Sequence, residues 1–310
     1  MEIQNVLVIG TGAWGTAIAQ VLADNGKNVI LYGIDCKEVK DINENHKNSK
    51  YFPDVVLSDK IEATTTFFCC FHTRPLPDMI ILAIPTQAMQ DTVRELFKDY
   101  NRDFLPMNSQ KQVVFVNLAK GYSNEDVPML DTFIQNSYYT TTGNRCKYYS
   151  LLGPSHAEEV IKRRLTCVNL IGFPDNAYSS SVVEAFNNDY FKVEVEGNIS
   201  IAEFCSSIKN VYALASGILD GLGYGQNARA ALITFALHEM RRFIKEVFKK
   251  DSDEDLFNLY GIGDLIVTCY STDSRNFTAG REIGKLNSFV EFEKSNTRTV
   301  EGIRGQNTTS

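Results

Sequence analysis

A lysine stands inside a long segment of small and apolar residues at helical spacing. Lys209 lies near the start of residues 207–240, which begin SIKNVYALASGILDG. Burying an unpaired ammonium is costly, and burial alone moves a lysine pKa by several units. The side chain therefore either extends its charged head into water from the flank of the helix, or the protein has a use for a positive charge at this position.

A second group of polar residues stands where a later helix can begin. Ser274, Arg275 and Asn276 would bring together a guanidinium, an amide and the free N–H groups of a first helical turn. That combination suits a phosphate dianion. The alternative is a capped surface helix with one exposed arginine. Asp264, ten residues earlier, can cap the helix that follows it.

The amino-terminal segment NVLVIGTGAWGTAIAQVLADNGKNVILYGID predicts a strand, a glycine turn, a helix and a second strand. Gly10, Gly12 and Gly15 form the pattern G-x-G-x-x-G. Glycines at these places allow a tight turn, the approach of a pyrophosphate to the backbone, and close packing of helix on strand. We therefore predict dinucleotide binding, the alternative being a tight turn that binds nothing.

The end of the second strand indicates which dinucleotide is bound. Asp35 lies twenty positions after Gly15, where an acidic residue binds the ribose hydroxyls of NAD, and no arginine is adjacent to accept the 2′-phosphate of NADP. The sequence therefore favours NAD over NADP. The alternative role of Asp35 is to cap the next helix.

The elements that position these residues fall into two groups. Apolar strand patterns at 79–84, 113–118, 148–152 and 166–173 predict a Rossmann-type doubly wound parallel sheet. Polar turns follow these strands, where ligands of such sheets bind. Lys120 in one turn points either into the cleft or into solvent, and Ser155 in another is typical of a helix N-cap. We assign residues 1–197 to this dinucleotide-binding domain.

From residue 198 onward helical patterns replace the strands, which predicts an all-helical domain over 198–310. A long helix is predicted over 227–249. We expect His238 to be an interior histidine on this helix. The predicted core face consists of Ala231, Leu232, Phe235, Ile244, Val247 and Phe248.

The bulk composition excludes several classes of protein. A chain of 310 residues with 44% hydrophobic and 22% charged residues is typical of a globular protein of two domains. Its net charge of −7 argues against binding to nucleic acid or to an anionic membrane surface. Seven cysteines without a C-x-x-C pair fit reduced thiols, and we expect no metal site. With neither a signal peptide nor a membrane-spanning run apparent, we expect a cytoplasmic protein.

The ordered motifs resemble the NAD-dependent glycerol-3-phosphate dehydrogenase family in its bacterial-type form, over nearly the whole length. The matching segments are GTGAWGTAIA, IPTQAM, LLGPSHAEEV, SIKNVYALASGILDGLGYGQNARAALI, GIGDLIVTCYSTDSRN and VEGIRG. The resemblance implies a helical domain similar to that of phosphogluconate dehydrogenase. It also favours NAD, because Ile34 stands where many members carry an arginine for NADP. Members normally continue with further helices after the last segment, so we expect the last helices to be missing here.

The resemblance also implies roles for individual residues. The catalytic residues would be Lys209, as proton donor and acceptor, with Lys120 and Asp264. The substrate-binding residues would be Lys120, Gly153, Ser155, Lys209, Asn210, Asp264, Ser274, Arg275 and Asn276. The cofactor-binding residues would be Gly10, Gly12, Ala13, Trp14, Gly15, Asp35, Lys120, Ala157, Arg275 and Glu301.

The implied reaction is hydride transfer between C2 of sn-glycerol 3-phosphate and the nicotinamide of NAD(H), giving dihydroxyacetone phosphate. The resemblance further implies a cytoplasmic homodimer in carbohydrate metabolism and phospholipid biosynthesis. Two alternatives are a dehydrogenase of small 3-hydroxy acids and a sensor that binds NAD(H) without turnover. The predicted phosphate site argues against the first, and Lys209, Lys120 and Asp264 argue against the second.

Overall fold

The computed structural model describes residues 2–72, 75–99, 113–120, 129–172, 176–296 and 300–304. The chain forms two compact units. Unit 1 comprises Met1–Leu151 and Ala157–Ile199, and unit 2 comprises Leu152–His156 and Ser200–Ser310. We keep the domain boundary between residues 197 and 198 as a prediction, separate from this division into compact units. Within the described residues no helix is both long and apolar enough to cross a membrane.

Unit 1 is built on an eight-stranded sheet with the strand order β3-β2-β1-β4-β5-β6-β7-β8. The pairs β1–β2, β1–β4, β2–β3, β4–β5, β5–β6 and β7–β8 are parallel. The strands are β1 (Asn5–Ile9), β2 (Asn28–Tyr32), β3 (Ile61–Thr64), β4 (Met79–Leu82), β5 (Val114–Asn117), β6 (Lys147–Leu152), β7 (Thr166–Gly172) and β8 (Phe191–Val195).

Helices cover both faces of this sheet. Val6 and Val8 of β1 point into one apolar core, and Leu7 and Ile9 point into the other, so the strand is buried on both sides. That double burial is why its sequence is continuously apolar. The helices are α1 (Ala13–Asp24), α2 (Cys36–Asn45), α3 (Phe67–His72), α4 (Thr86–Asp99), α5 (Leu130–Thr142), α6 (Ala157–Val160) and α7 (Asn176–Phe186).

Beyond residue 199 every described element is helical, and the predicted fold class is confirmed. A π-helical turn at Leu259–Gly263 leads directly into α10. The other elements of this part are α8 (Ile199–Gly221), α9 (Gln226–Val247), α10 (Asp264–Tyr270), α11 (Arg275–Leu286), α12 (Phe289–Ser295) and α13 (Glu301–Arg304).

Glycines allow α8 and α11 to lie side by side in backbone contact. A Cβ added at Gly280 would overlap the carbonyl of Leu214, and one at Gly284 would overlap the carbonyl of Ile218. The two helices therefore run parallel in a fixed register, because a step of four residues on one matches a step of four on the other. The same overlap occurs from the α8 side, at Gly217 and Gly221.

The predicted core face of α9 is wrong in part. Ala231, Phe235 and Val247 are exposed, and so is His238, which we expected to be interior. The buried face is rotated around the helix and includes a charged residue, so apolar spacing alone selected the wrong stripe. Its buried residues are Arg229, Ile233, Ala236, Met240 and Ile244.

Candidate active site

The ammonium of Lys209 is buried and forms an ion pair with the carboxylate of Asp264. The two side chains are only 3% and 1% exposed. The first sequence alternative for Lys209, a lysine with its head in water, is therefore wrong. Asp264 is the first residue of α10, the helix N-cap being Gly263. The pair places a group able to donate or accept a proton inside unit 2.

A π-helical turn and the segment 152–156 adjoin this pair. The turn ends at Gly263, and a Cβ added there would lie 3.5 Å from Cγ of Pro154. Pro154 separates the predicted substrate residues Gly153 and Ser155, and the Ser155 hydroxyl donates to the Gly153 carbonyl at 3.0 Å. Single π-turns often occur at functional sites. This turn connects the predicted substrate segment with Asp264.

The start of α11 is joined to the residue that follows Lys209. The amide of Asn276 donates to the side-chain oxygen of Asn210 at 3.0 Å, and its own oxygen accepts from the backbone N–H of Gly302 at 2.8 Å. Both asparagines are buried. The predicted anion-binding residues are thereby brought to the same part of unit 2 as Lys209.

The first turn of α11 has the form expected from its sequence. Ser274 is the N-cap, and its hydroxyl accepts from the backbone N–H of Phe277 at 3.2 Å. Ser274 and Asn276 are buried, whereas Arg275 between them is exposed. A capped helix start with a guanidinium beside it is common to both sequence alternatives, so the binding of phosphate stays a prediction.

The glycine turn of unit 1 has three different constraints. Gly10 has a φ of 121°, and a Cβ there would overlap the backbone of Ala83 after β4. A Cβ at Gly15 would overlap the carbonyl of Gly10, whereas one at Gly12 would meet nothing within 4 Å. The turn thus lies where strand order reverses between β1 and β4, with open space in front of α1. This geometry fits a dinucleotide pyrophosphate.

A cluster of charges surrounds the end of β2. Asp35 caps α2 by accepting from the backbone N–H of Lys37 at 2.9 Å, and this hydrogen bond is the main reason why its pKa lies below the ordinary value. Nζ of Lys50 lies 3.6 Å from Oδ2 of Asp35 and 2.5 Å from Oε1 of Glu38. The other oxygen of Glu38 accepts from the hydroxyl of Thr11, inside the glycine turn, at 2.5 Å.

The remaining predicted residues of unit 1 lie at turns and helix starts. The carbonyl of Lys120 accepts from the Thr86 hydroxyl at 3.3 Å, which joins the turns after β4 and β5. Ala13 and Trp14 begin α1, and Ala157 begins α6. Glu301 begins α13, but its side chain lies outside the described part of the chain.

Two family profiles together match almost the whole chain. The profile described as the NAD-dependent glycerol-3-phosphate dehydrogenase N-terminus matches residues 5–177, and the profile of the C-terminus matches residues 198–309. The chain belongs to the NAD-dependent glycerol-3-phosphate dehydrogenase family. The predicted family is confirmed.

Individual relatives agree with this assignment. A Staphylococcus haemolyticus protein named glycerol-3-phosphate dehydrogenase [NAD(P)+] is 37% identical over 299 residues, which are 96% of this chain and 85% of the relative. A Mesoplasma florum protein of the same name is 35% identical over 98% of this chain and 86% of the relative. The crystal structure of glycerol-3-phosphate dehydrogenase from Coxiella burnetii superimposes with a TM-score of 0.83 at 27% identity, covering 98% of this chain and 87% of that one.

Three residues of this dehydrogenase that lie beside the predicted cofactor site, Glu38, Asn48 and Lys50, were not predicted from the sequence. Glu38 and Lys50 belong to no motif: Glu38 on α2 accepts from the Thr11 hydroxyl, and Lys50 in the loop after α2 pairs with Glu38. Asn48 donates to the Thr11 carbonyl at 2.8 Å and to the Thr16 hydroxyl at 2.9 Å. Among the described residues, no group of three or more His, Cys, Asp or Glu side chains could hold a metal ion.

Proposed function

We propose that this chain interconverts sn-glycerol 3-phosphate and dihydroxyacetone phosphate with NAD(H), and that Lys209 is the general acid and base. The observation that carries the proposal is the buried Lys209–Asp264 pair, next to an α11 start that Asn210 and Asn276 join to α8. A proton-transfer group and a predicted anion site then lie in one unit, as a small phosphorylated alcohol requires.

The cofactor would be held by the glycine turn and by Asp35. The open space at Gly12 supports the placement of the pyrophosphate, with N–H groups of α1 directed at it. When bound, NAD(H) supplies or accepts the hydride. The other predicted cofactor residues are Gly10, Ala13, Trp14, Gly15, Lys120, Ala157, Arg275 and Glu301. NAD is favoured over NADP because carboxylates outnumber cations in the group formed by Asp35, Glu38 and Lys50.

Lys209 would move the proton that accompanies this hydride. During reduction its ammonium donates a proton to the oxygen on C2, which becomes the hydroxyl of glycerol 3-phosphate. During oxidation the neutral amine removes that proton as the C2–O bond becomes a carbonyl. The partner carboxylate of Asp264 holds the amine in place, and it balances the charge of the ammonium, which is costly to bury alone.

Binding of the phosphate would orient the reacting carbon. Ser274, Arg275 and Asn276 would hold the dianion by a hydroxyl, a guanidinium and an amide, while Lys120, Gly153 and Ser155 would contact the remainder of the substrate. Interactions with a nonreacting group raise the rate when they fix the geometry of the reacting one. A strong preference for the phosphorylated ketone is the expected consequence.

The deciding experiment measures NADH oxidation with three substrates: dihydroxyacetone phosphate, unphosphorylated dihydroxyacetone and a 3-keto acid. We expect turnover with the first and far less with the others. Lys209→Ala should abolish turnover while NADH still binds, and Arg275→Ala should mainly raise KM for the phosphorylated ketone. Lys285→Ala and Arg242→Ala, which change exposed residues of α11 and α9, are the matched controls.

Two results would contradict the proposal. Preferred turnover of the 3-keto acid would identify a hydroxy-acid dehydrogenase. Tight NADH binding with no turnover of any substrate would identify a sensor.

We further infer that the protein is a cytoplasmic homodimer that supplies glycerol 3-phosphate to phospholipid biosynthesis from carbohydrate metabolism. The seven scattered cysteines support a reducing compartment. Exposed apolar side chains of α9, among them Phe235 at 69% and Val247 at 54%, support self-association. Sedimentation equilibrium tests the dimer, and a monomer at all protein concentrations would contradict it.

A further inference from the structure

A buried arginine of α9, Arg229, is not among the residues that were given a functional role above. Arg229 is 4% exposed and is the fourth residue of a helix whose remaining buried residues are apolar. Burying a guanidinium is costly unless most of its donors are satisfied. Its contacts therefore indicate what the rest of the unit gains from it.

The guanidinium closes the carboxyl end of α10. Its Nη2 donates to the carbonyl of Cys269 at 2.9 Å, and its Nε donates to the hydroxyl of Ser216 at 3.2 Å. The same Ser216 hydroxyl donates to the Cys269 carbonyl at 2.8 Å. One of the carbonyls left unpaired by the end of a helix is thus satisfied by side chains from α8 and α9.

The guanidinium lies over two aromatic rings, one on either side of a short segment. Its central carbon lies 4.4 Å from the ring centre of Tyr270 and 4.9 Å from that of Phe277. Tyr270 is the last residue of α10, and Phe277 is the third residue of α11. Arg229 therefore holds both ends of residues 271–276, which include the predicted phosphate-binding residues.

A carboxylate extends this contact to the rest of α11. Nη1 of Arg229 lies 3.4 Å from Asp220 of α8, and the other oxygen of Asp220 lies 2.8 Å from Nε of Arg281. Asp220 thus bridges an arginine of α9 and an arginine of α11. The helix that begins with the anion site is fixed at its start by Arg229 and one turn later by Arg281.

We propose that Arg229 is a positioning residue for phosphate binding: it holds residues 274–276 in the geometry that binds the dianion and does not itself touch the substrate. This inference rests on the proposed function, since it assigns Arg229 to the same phosphate site. Lysine cannot replace it, because a single ammonium lacks the planar fork of donors that bonds both Cys269 and Ser216.

The test compares Arg229→Lys and Arg229→Gln with wild type on dihydroxyacetone phosphate and on unphosphorylated dihydroxyacetone. A displacement of about 1 Å costs on the order of 10²-fold in rate. We expect kcat/KM for the phosphorylated ketone to fall about 10- to 100-fold, while kcat/KM for dihydroxyacetone changes less than about twofold. The exposed Arg242 of the same helix, changed to Lys and Gln, is the matched control.

A merely structural role would lower both kcat/KM values together with Tm and leave their ratio unchanged, and that result overturns the inference. If Arg229→Gln does not fold, Arg229→Lys and Ser216→Ala supply the same ratio.

Calorimetric titration with inorganic phosphate separates this inference from the proposed function. Weaker phosphate binding in the folded variants supports the role of Arg229 even if wild type turns over neither ketone, a result that would contradict only the proposed function. Unchanged phosphate affinity in the folded variants overturns the role of Arg229.

Discussion

The two units build a helix start suited to anions in opposite ways. In unit 1, α1 begins at Gly12, where nothing from the protein occupies the space that a side chain would fill. In unit 2, α11 begins at Ser274, whose hydroxyl already uses one backbone N–H, and Arg275 adds a charge beside it. Backbone geometry therefore determines the first predicted site, and side chains determine the second.

The two units also differ in how far their charged side chains are exposed to solvent. Around the turn of unit 1 two of the charged side chains are partly solvated, with Lys50 56% and Asp35 39% exposed, whereas Glu38 is buried. In unit 2 the ammonium of Lys209, the carboxylate of Asp264 and the guanidinium of Arg229 are almost completely buried. Because charges interact more strongly away from water, substitutions of charge should be severe in unit 2 and mild in unit 1. Added methyl groups at the glycine turn should be severe in unit 1.

The largest effect is expected at the buried pair. Asp264→Asn should reduce kcat by about 10²- to 10⁴-fold, the typical contribution of a general acid–base. It should also reduce the free energy of unfolding by about 3–5 kcal/mol, because it removes the carboxylate that balances the buried charge of Lys209. Stopped-flow kinetics and urea unfolding measure the two losses.

The double variant Lys209→Met, Asp264→Leu separates these losses. Stability should return, since neither charge of this pair remains, while activity stays absent. An active Asp264→Asn protein of unchanged stability would show that the pair is not needed.

The next effect compares two glycines of one turn. Gly12→Ala should weaken NADH binding at least about tenfold, with a loss of stability below about 1 kcal/mol, because the new methyl group enters open space. Gly15→Ala should weaken binding and also lower the free energy of unfolding by about 1–3 kcal/mol, because its methyl group overlaps the Gly10 carbonyl. Fluorescence titration and thermal unfolding test both, and equal NADH affinity in Gly12→Ala and wild type would refute this reading of the turn.

A smaller effect concerns the ion pair of Glu38 and Lys50 in unit 1. Glu38→Gln can still accept from Thr11 but no longer neutralises Lys50, so the ammonium becomes available to a 2′-phosphate. We expect the ratio of kcat/KM for NADPH to that for NADH to rise about tenfold, equivalent to ~1.4 kcal/mol. The gain should vanish in Glu38→Gln, Lys50→Gln. An unchanged ratio in the single variant would exclude Lys50 from cofactor selection.

The smallest effect is expected at an exposed pair of unit 1. Burial raises the pKa of Asp24, but hydrogen bonds from Arg163, Tyr190 and Gln20 together lower it by more. The pKa in the folded protein therefore lies below 3.8. Because the pKa is depressed on folding, the stabilisation is complete above 3.8 and disappears as pH falls through the lower folded value. Arg163→Asn, which suits the positive φ of that residue, should cost at most about 1 kcal/mol at neutral pH.

This cost should fall toward zero in acid well below 3.8, as measured by urea unfolding at both pH values. Arg164→Asn at the exposed neighbouring residue is the control. An equal cost of Arg163→Asn at both pH values would show that the carboxylate is not involved.

Local features of the sequence predicted the sheet and the glycine turn. Strands buried on both faces must be apolar throughout, and a turn against the backbone of Ala83 must be glycine, so each is visible within a few residues. Lys209 could be recognised as unusual, but not as buried, because its partner Asp264 is 55 residues away. Its role as the catalytic residue stays a prediction.

What the sequence did not reveal depends on packing between distant elements. Spacing of apolar residues placed Phe235 in the core of α9, whereas Arg229 is buried in that helix because acceptors on α8 and α10 meet there. Glu38 and Lys50 were missed for the same reason. Glu38 contacts Thr11 of the glycine turn and Lys50 of a separate loop, and these three residues are distant in sequence. Buried charged groups are selected by their partners, and a periodic pattern contains no information about partners.

In the proposed enzyme, the backbone contact between α8 and α11 would limit the length of substrate that fits between Lys209 and the predicted phosphate site. Sliding either helix by a single residue would move the predicted dianion site about 1.5 Å along the other helix. The close backbone contacts at the glycines oppose such a slide. We therefore expect a ketose phosphate with one additional carbon to be a poor substrate, because side-chain adjustment would not lengthen this distance.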